Sequence, residues 1–290
     1  GKKREYTKED FRAYGRFVRE RFDDFAWEND RVAHRTYGKA LETWKGEPLT
    51  SSSIDIWSKL NPTLVINEWY MMGDSFYHHM NSNGADLYSA GASRGDGGTG
   101  IWAGDKLYPS KNFIESRTLA DGPIRVMFDL DYPSFDVNGV KVTETKRVTL
   151  DAGSQLDHYE TKFKIEGAFQ GESPPVAIGL KKVNGEQKEF SAEHGCLTSW
   201  QAVEKNNGMQ GLAIIVSDAK SIDRQAEDKS NNLLLLKSEA LNSKPISFWA
   251  GFAWDKAGKI TSADAWKKYV DEFAQKIQSP IEVSVSAPAQ

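Results

Sequence analysis

Residues 77–102 concentrate side chains that can transfer protons and bind anions. They include two histidines, two aspartates, two tyrosines, an arginine and a tryptophan among six glycines. A histidine near its ordinary pKa of roughly 6.5 can act as an acid or a base at neutral pH. Repeated glycines predict irregular backbone, neither helix nor strand, that can approach a ligand closely. We therefore interpret this segment as the location of the function.

Four side chains of this segment are candidates for chemistry, namely His78, Asp86, Tyr88 and Arg94. The alternative for His78 is a loop histidine with only local hydrogen bonds, and its polar neighbours favour a functional role. No spacing matches a metal motif such as His-Glu-x-x-His, and the glycine run lacks the Gly-Lys-Ser/Thr ending of a phosphate-binding loop. No metal ligand and no cofactor are expected, while a bound structural cation in the aspartate-rich loops stays open.

A second group of candidates precedes this segment. Residues 30–37 read as a strand in which Arg31, Arg35 and Tyr37 share one face, because side chains alternate along a strand. Two guanidinium groups beside a phenol suit the binding of a carboxylate. The alternative is a solvent-exposed edge strand with ordinary surface arginines.

Four more residues complete the candidate set. Trp27 next to Glu28 indicates either a sugar subsite or a structural turn, and Trp102 offers a second indole face. Indole faces pack against sugar rings, and carboxylates accept hydrogen bonds from sugar hydroxyls. Lys111 follows a turn, from which it would either point into the same cleft or be solvated.

Composition and charge exclude several classes of protein. The formal net charge is −4, and scattered lysines and arginines give no basic stripe of the kind that nucleic acid requires. No run of about 18 apolar residues occurs, so no membrane span is predicted. The single cysteine, Cys196, excludes an internal disulfide. A start at Gly1 instead of methionine is compatible with a removed export signal, and a periplasmic or secreted location is the expectation.

Alternating, β-branched and aromatic residues dominate the chain and predict many short antiparallel strands. Asn-Gly pairs at 138–139, 184–185 and 207–208 separate such runs, which indicates hairpins. One helix is predicted after Ser262, which can cap it. With no repeat or long linker, residues 1–290 are expected to form a single all-β domain, a large antiparallel β-sandwich with one C-terminal helix. The predicted strands cover residues 124–130, 141–149, 157–165, 211–217, 232–236 and 245–254.

Short motifs follow one another in order over most of the chain. They are DDFAWENDR (23–31), RTYG (35–38), SIDIW (53–57), YH (77–78), GADLY (84–88), SRGDGG (93–98), GIW (100–102) and SKNF (110–113). On this series the chain resembles domain-of-unknown-function family 4861, which is found in bacterial polysaccharide-utilisation systems. The ordered series is far more specific than any single motif.

The resemblance implies both a fold and an activity. The fold is a galactose-mutarotase-like supersandwich with a concave, sugar-binding face. The family keeps company with lyases and glycoside hydrolases that act on uronic-acid polymers such as ulvan and pectin, and at least one similar protein dehydrates ulvan oligosaccharides. We therefore expect a monomeric or homodimeric dehydratase that removes water from the non-reducing-end uronic acid of an oligosaccharide and leaves a C4–C5 double bond.

Such a reaction requires a cation on the carboxylate, a base for the C5 proton and an acid for the departing 4-hydroxyl. The hypothesis gives the carboxylate to Arg35 and Arg94, the C5 proton to Tyr88 or Lys111, and the acid role to His78. The expected substrate-binding residues are Arg35, Tyr37, Trp27, Glu28, Asp86 and Trp102.

Three other functions remain open at this point. A β-elimination lyase would need the same three roles, with the glycosidic oxygen leaving in place of water. A glycoside hydrolase would need paired carboxylates, one of which Glu28 could supply. A carbohydrate-binding module or a mutarotase-like epimerase belongs to a third group, and a pure binder needs aromatic platforms but no cluster of histidine, arginine and tyrosine.

Overall fold

Strands occupy most of the chain in the computed structural model, which describes residues 5–46, 48–241, 244–281 and 284. Within these residues the strands, in chain order, are β1 (Ala13–Val18), β2 (Asp24–Asn29), β3 (Ala33–Thr36), β4 (Ile54–Lys59), β5 (Gly84–Ala85), β6 (Asp96–Ala103), β7 (Lys106–Tyr108), β8 (Glu115–Asp121), β9 (Arg125–Asp131), β10 (Phe135–Val137), β11 (Val140–Asp151), β12 (Leu156–Glu166), β13 (Val176–Lys181), β14 (Gln187–Ser191), β15 (Cys196–Ala202), β16 (Met209–Val216), β17 (Ile222–Glu227), β18 (Asn231–Leu236) and β19 (Ile246–Trp254). Six of the seven runs predicted as strands coincide with strands of the structure, and the seventh, 30–37, contains the shorter strand β3.

The described strands form three antiparallel sheets in two layers. One layer is a nine-stranded sheet with the order β14-β15-β16-β19-β12-β11-β9-β8, in which β10 pairs with β11. The other layer contains the N-terminal sheet, β1-β2-β3-β4-β5, and a second five-stranded sheet, β17-β18-β13-β6-β7. A parallel bridge between Ile54 and Gly95 connects these two smaller sheets. The predicted antiparallel β-sandwich is confirmed.

Three α-helices occur among the described residues, namely α1 (Ile66–Met72), α2 (Asp74–Tyr77) and α3 (Ala263–Gln278). The predicted C-terminal helix is α3, and Ser262 Oγ caps it by accepting the Ala265 N–H at 3.2 Å. Trp266 of α3 donates its indole N–H to Leu212 O at 3.0 Å, which fixes the helix on the outside of the nine-stranded sheet. None of the described helices is both long and apolar enough to cross a membrane.

Apolar side chains from both layers meet between the sheets. Phe25 of β2 stacks on Phe128 of β9 with ring centroids 4.0 Å apart, and both are fully buried. Ile178 and Phe248 belong to the same core cluster, so the core extends across all three sheets. Burial of large aromatic and aliphatic side chains is the dominant favourable term in such a fold.

Alternation along β3 decides which of its side chains leave this core. His34 contacts Phe252 inside the sandwich, whereas Ala33 packs with Trp57 on the outer face. Arg35 is two residues from Ala33 and therefore also lies on the outer face. The helices α1 and α2 cover this face. The ring centroids of Trp69 in α1 and Trp57 in β4 are 5.1 Å apart. Charged side chains of β2, β3 and β4 are thus buried beneath two short helices.

The second half of the glycine-rich segment is a buried strand, contrary to the prediction of irregular backbone. Residues of β6 pair with β13 on one side and β7 on the other. A Cβ on Gly97 would lie 2.4 Å from Ala250 Cβ, and one on Gly98 would lie 2.5 Å from Arg94 O. These glycines allow close packing with other parts of the protein, not with a ligand.

The three Asn-Gly pairs have different outcomes. Residues 138–139 form the predicted two-residue hairpin, with positive φ values of 52° at Asn138 and 86° at Gly139. Residues 207–208 lie in the longer connection between the paired strands β15 and β16. The hairpin predicted at 184–185 is wrong, because β13 and β14 on either side of it belong to different sheets.

Glu28 joins the N-terminal sheet to α1, which generates a prediction about stability. Its Oε2 accepts a hydrogen bond from Lys59 Nζ at 2.8 Å, and its carboxylate accepts the backbone N–H groups of Val65 and Ile66 at 2.9 and 2.8 Å. Glu28→Ala should lower the free energy of unfolding by about 3–5 kcal/mol, because Lys59 would be left buried without its counter-charge. Urea denaturation measures this loss.

The matched control is Asp151→Ala, which breaks an ion pair with Arg125 whose two side chains are 50% and 51% exposed. Exposed pairs contribute about 1 kcal/mol or less. A similar small loss for both variants would contradict the structural role of Glu28.

Candidate active site

A cavity of about 290 Å³ opens on the outer face of the N-terminal sheet. His78 lines this cavity, whereas four larger cavities in the described part of the chain, of about 1000, 640, 510 and 500 Å³, are lined without a histidine. The lining residues are Arg21, Arg35, Tyr37, Leu41, Leu49, Asp55, His78, Asp86, Leu87, Tyr88, Ser89, Ala90, Gly91, Glu204 and Lys205. We refer to this cavity as the cleft.

Arg35 lies at the base of the cleft between two carboxylates. It is directly opposite Asp55 in the register of β3 and β4, and its Nε donates to Asp55 Oδ2 at 2.8 Å. Its Nη2 donates to Asp86 Oδ2 at 2.9 Å. Tyr37 adds a hydrogen bond from its hydroxyl to Asp55 Oδ2 at 2.9 Å. Charge-assisted bonds of this kind hold a buried guanidinium in one orientation.

His78 contacts the same aspartate from the other side. It follows the last residue of α2, and the backbone N–H of Asp86 donates to Tyr77 O at 2.7 Å, which ties the two segments together. His78 Nδ1 lies 3.4 Å from Asp86 Oδ2. The His78 side chain is 44% exposed and that of Asp86 only 3%. A half-exposed imidazole is therefore backed by a buried carboxylate, as in many acid–base pairs.

Burial shifts the proton affinities of these groups in opposite directions. Desolvation lowers the pKa of His78 below its usual 6.5, and the Arg35 cation lowers it further. Desolvation raises the pKa of Asp86 to about 7, although Arg35 opposes this change. Burial also raises the pKa values of the Tyr37 and Tyr88 hydroxyls well above 10. His78 is thus neutral at neutral pH, and both tyrosines keep their protons.

The loop that carries Tyr88 forms one wall of the cleft. Ser89 Oγ donates to Glu204 Oε2 at 3.1 Å, and Lys181 Nζ donates to Ser89 O at 2.6 Å. The Tyr88 ring packs 5.0 Å from Lys181 Nζ, and its hydroxyl is buried with no hydrogen-bond partner in the part of the chain that the structure describes. Tyr88 therefore forms part of the wall of the cleft.

Two cleft residues were missing from the sequence-based candidates. Arg21 follows β1 and is 7% exposed, and nothing in its Arg-Glu-Arg surroundings distinguishes it from a surface arginine. Asp55 is an acid between two isoleucines of a strand, a pattern that could have indicated a buried, paired carboxylate. Near them, burial raises the pKa of the Asp24 carboxyl to about 7.

Two of the predicted substrate-binding residues are not available to a ligand. Trp27 lies on the inner face of β2, fully buried, where its indole N–H donates to Asp157 Oδ1 at 2.8 Å. Its ring stacks on His34 with centroids 5.2 Å apart, so no face is left for a sugar. Glu28 is fully buried as the partner of Lys59 and the cap of α1. Successive side chains of β2 point to opposite faces of the sheet, and both faces are covered at this strand. Neither Trp27 nor Glu28 therefore reaches solvent.

Arg94 is also outside the cleft, and its guanidinium serves the core. It is 1% exposed and donates to Ser52 Oγ at 3.0 Å, Ser51 Oγ at 3.1 Å and Thr99 O at 3.3 Å. Burial lowers its pKa to about 10. The prediction that it binds a carboxylate beside Arg35 does not agree with this position, because Arg94 does not line the cleft and both of its terminal nitrogens donate to protein acceptors.

The last two predicted residues also lie away from the cleft. Trp102 borders the cavity of about 1000 Å³ near β7 and does not line the cleft. Lys111 is exposed and does not line the cleft. The structure thus brings together five of the predicted residues, which are Arg35, Tyr37, His78, Asp86 and Tyr88. Among the described residues, no three side chains of histidine, cysteine, aspartate or glutamate are arranged to hold a metal ion.

Comparison with known proteins agrees with the sequence motifs. A profile of the family described as "Domain of unknown function (DUF4861)" matches residues 3–283. The chain belongs to this family. One relative is "Uncharacterized protein P7" from Formosa agariphila. It is 31% identical to this chain over 284 residues, which cover 94% of this chain and 69% of the relative.

The DUF4861 chain also has a distant likeness to a solved structure, "Putative kojibiose phosphorylase from human microbiome". The two share 11% sequence identity with a TM-score of 0.36. The match covers 59% of this chain and 26% of the phosphorylase chain. A likeness this weak supports no statement about function.

The electrostatics of the cleft predict a measurable change in His78. Arg21 is one of the cations that lower the pKa of this imidazole, so Arg21→Met should raise the pKa toward 6.5. A pH titration followed by NMR of the histidine ring protons measures the shift, with His78→Ala to assign the resonance. The control is Arg19→Met, which removes the same charge from an exposed position two residues away. An unchanged or lower pKa in Arg21→Met would disprove this electrostatic contact.

Proposed function

We propose that this protein is a dehydratase that removes water from a terminal uronic acid of an oligosaccharide, with His78 as its acid–base residue. The observation that carries the proposal is the half-exposed imidazole held against Asp86 in a cleft that two guanidinium groups also line. A neutral imidazole can take up a proton, and a cation can bind the carboxylate beside the carbon that loses it. The family resemblance supplies the sugar part of the proposal.

The size of the cleft favours a single sugar unit. Its volume of about 290 Å³ is at the lower end of ligand sites, which typically measure roughly 300–1,000 Å³. Such a cavity suits the end of a chain better than an internal stretch of a polymer. Action on chain ends also fits a protein that processes oligosaccharides released outside the cell, so a periplasmic or secreted location is part of the proposal.

The proposed reaction transfers one proton and breaks one carbon–oxygen bond. His78 takes the proton from C5 of the uronic acid, and the electron pair of that C–H bond forms the C4–C5 double bond. The C4–O bond breaks as the double bond forms. The imidazolium then gives its proton to the departing hydroxyl group, and water leaves. His78 is neutral again, and the substrate has lost one molecule of water.

This scheme assigns the proton transfers differently from the sequence-based hypothesis. Tyr88 is a poor base, because burial raises the pKa of its hydroxyl well above 10. Lys111 does not line the cleft. His78 therefore takes both proton-transfer roles. An ionised Asp86, whose Oδ2 lies 3.4 Å from Nδ1, favours the tautomer that carries the proton on Nδ1, which leaves Nε2 to accept the C5 proton.

A single imidazole in both roles restricts the stereochemistry. The C5 hydrogen and the 4-hydroxyl must lie on the same face of the ring for one group to reach them. A terminal glucuronate meets this condition, whereas a terminal galacturonate has them on opposite faces. Glucuronate-ended substrates are the first choice for a test.

The first test incubates the protein with oligosaccharides that end in glucuronate, including ulvan fragments, and matched oligosaccharides that end in galacturonate. The expected product of the glucuronate series absorbs in the ultraviolet through its new double bond and is lighter by one water, with unchanged chain length. Mass spectrometry measures both properties. A shortened chain would identify a β-elimination lyase instead, and no product from either series would contradict the proposal.

Variants of adjacent histidines test the residue assignment. His78→Ala should lower kcat by about 10²–10⁴-fold, because proton transfer by a positioned side chain contributes roughly this factor. His79→Ala is the matched control and should retain wild-type turnover, since His79 is exposed and its Nδ1 faces Ser75 O at 2.7 Å. Equal turnover in the two variants would remove His78 from the mechanism.

The pH dependence follows from the shifted pKa values. The scheme needs an ionised Asp86 beside His78, and burial raises the pKa of Asp86 to about 7. The ratio kcat/KM should therefore fall as the pH decreases below about 7, because Asp86 takes up a proton and no longer supports the imidazole as a base. A profile that increases toward acid pH would contradict the base role.

A further inference from the structure

We propose that Arg21, and not Arg35, recognises the carboxylate of the substrate. This inference rests on the proposed function and specifies which cation binds the charged group. Both guanidinium groups line the cleft, and both are more than nine-tenths buried. The distinction comes from the partners that each one already has.

Arg35 is already paired with two of the protein's own acids, and of its nitrogens only Nη1 lacks an acceptor among the described residues. Asp55 and Asp86 accept hydrogen bonds from its Nε and Nη2, so one positive charge is flanked by two carboxyl groups. Its guanidinium is also enclosed by the rings of Trp57 and Tyr77, with Cζ 5.5 and 6.0 Å from their centroids. A third carboxylate at this position would meet repulsion from the first two.

Arg21 has unused hydrogen-bond donors. Its Nε and Nη1 are buried and have no hydrogen-bond acceptor among the described residues. The nearest carboxylate oxygen of an ion pair is Asp74 Oδ1, 3.7 Å from Nε, on a side chain that is 53% exposed. Buried donors without an acceptor are unfavourable, and a ligand carboxylate would satisfy them with charge-assisted bonds.

The side chain of Arg21 is also held in place for binding. Its Cζ lies 5.1 Å from the centroid of the Phe22 ring and 5.5 Å from that of Trp44. These two rings stack on each other with centroids 4.4 Å apart. A guanidinium on an aromatic pair gains cation–π attraction and loses conformational freedom before the ligand arrives.

The backbone next to Arg21 is strained. Phe22 and Asp23 both adopt left-handed conformations, with φ values of 52° and 62°, which bulky side chains rarely do. The turn is packed tightly against Gly38, where a Cβ would lie 1.8 Å from Asp23 O. Strain of this kind is retained mainly where a side chain must occupy one position, and here it places the Phe22 ring beside the guanidinium.

A carboxylate bound to Arg21 would have a direct chemical consequence. The carboxylate carbon is attached to C5, so the negative charge that develops when C5 loses its proton is shared with the carboxylate oxygens. Arg21 would stabilise that charge as it forms. Its position in the same cavity as His78 places the cation and the base on one bound sugar.

The test compares a charged probe with a neutral one. Methyl β-D-glucuronide and methyl β-D-glucoside differ only in the carboxylate, and NMR titration of the His78→Ala protein measures both dissociation constants without turnover. The glucuronide should bind at least about tenfold more tightly. Adding Arg21→Met should abolish this preference and leave glucoside binding unchanged. Arg21→Lys, which keeps the charge but not the planar donors, should retain part of the preference.

Arg19→Met is the matched control and should keep the full preference for the glucuronide. Thermal unfolding of each variant verifies that it is folded. If Arg21→Met does not fold, the comparison of the two probes is made with Arg21→Lys. A preference that survives in Arg21→Met would overturn the inference, as would equal affinity of the two probes for the starting protein. Charge-dependent binding through Arg21 without any dehydration of oligosaccharides would instead contradict the proposed function alone.

Discussion

The buried contact of Arg35 with Asp55 and Asp86 is the interaction on which the candidate active site depends. Asp55 is its cross-strand neighbour in the N-terminal sheet, whereas Asp86 belongs to a separate loop. Burying three charged groups is unfavourable unless each is paired and hydrogen-bonded, so the loop must stay where Asp86 meets the guanidinium. Because the backbone of Asp86 is hydrogen-bonded to Tyr77 at the end of α2, the same contact sets the position of His78.

Local patterns predicted the fold better than the site. The alternation in β11 and β12 depends on a core on one side and solvent on the other, so it is visible in the sequence. The glycines of β6 depend instead on how closely Ala250 and the backbone of Arg94 approach, which is a tertiary contact. Residue type alone could not distinguish a glycine that allows a ligand to approach the backbone from one that allows a neighbouring strand to pack closely.

The same limit explains which site residues were found. His78 and Asp86 are eight positions apart in one segment, so their types could be considered together. Arg94 and Glu28 have equally suitable types, but Arg94 donates to buried serines and Glu28 accepts from the buried Lys59. A polar residue near a proposed site is either a ligand-binding group or part of a buried network, and only its tertiary partners decide. Arg21 has no periodic pattern, and a strained turn brings it to the cleft.

The protein's own ion pairs define what remains for a substrate. Asp55 and Asp86 flank Arg35, which leaves Arg21 as the cleft guanidinium with no carboxylate hydrogen-bonded to it among the described residues, and His78 as the exposed base. Desolvation lowers the pKa of His78 and raises that of Asp86 to about 7, so burial disfavours the charged form of each group. The imidazolium that forms when His78 accepts a proton is destabilised in the same way and gives the proton back readily. This property suits a reaction in which one group must first remove a proton and then return it.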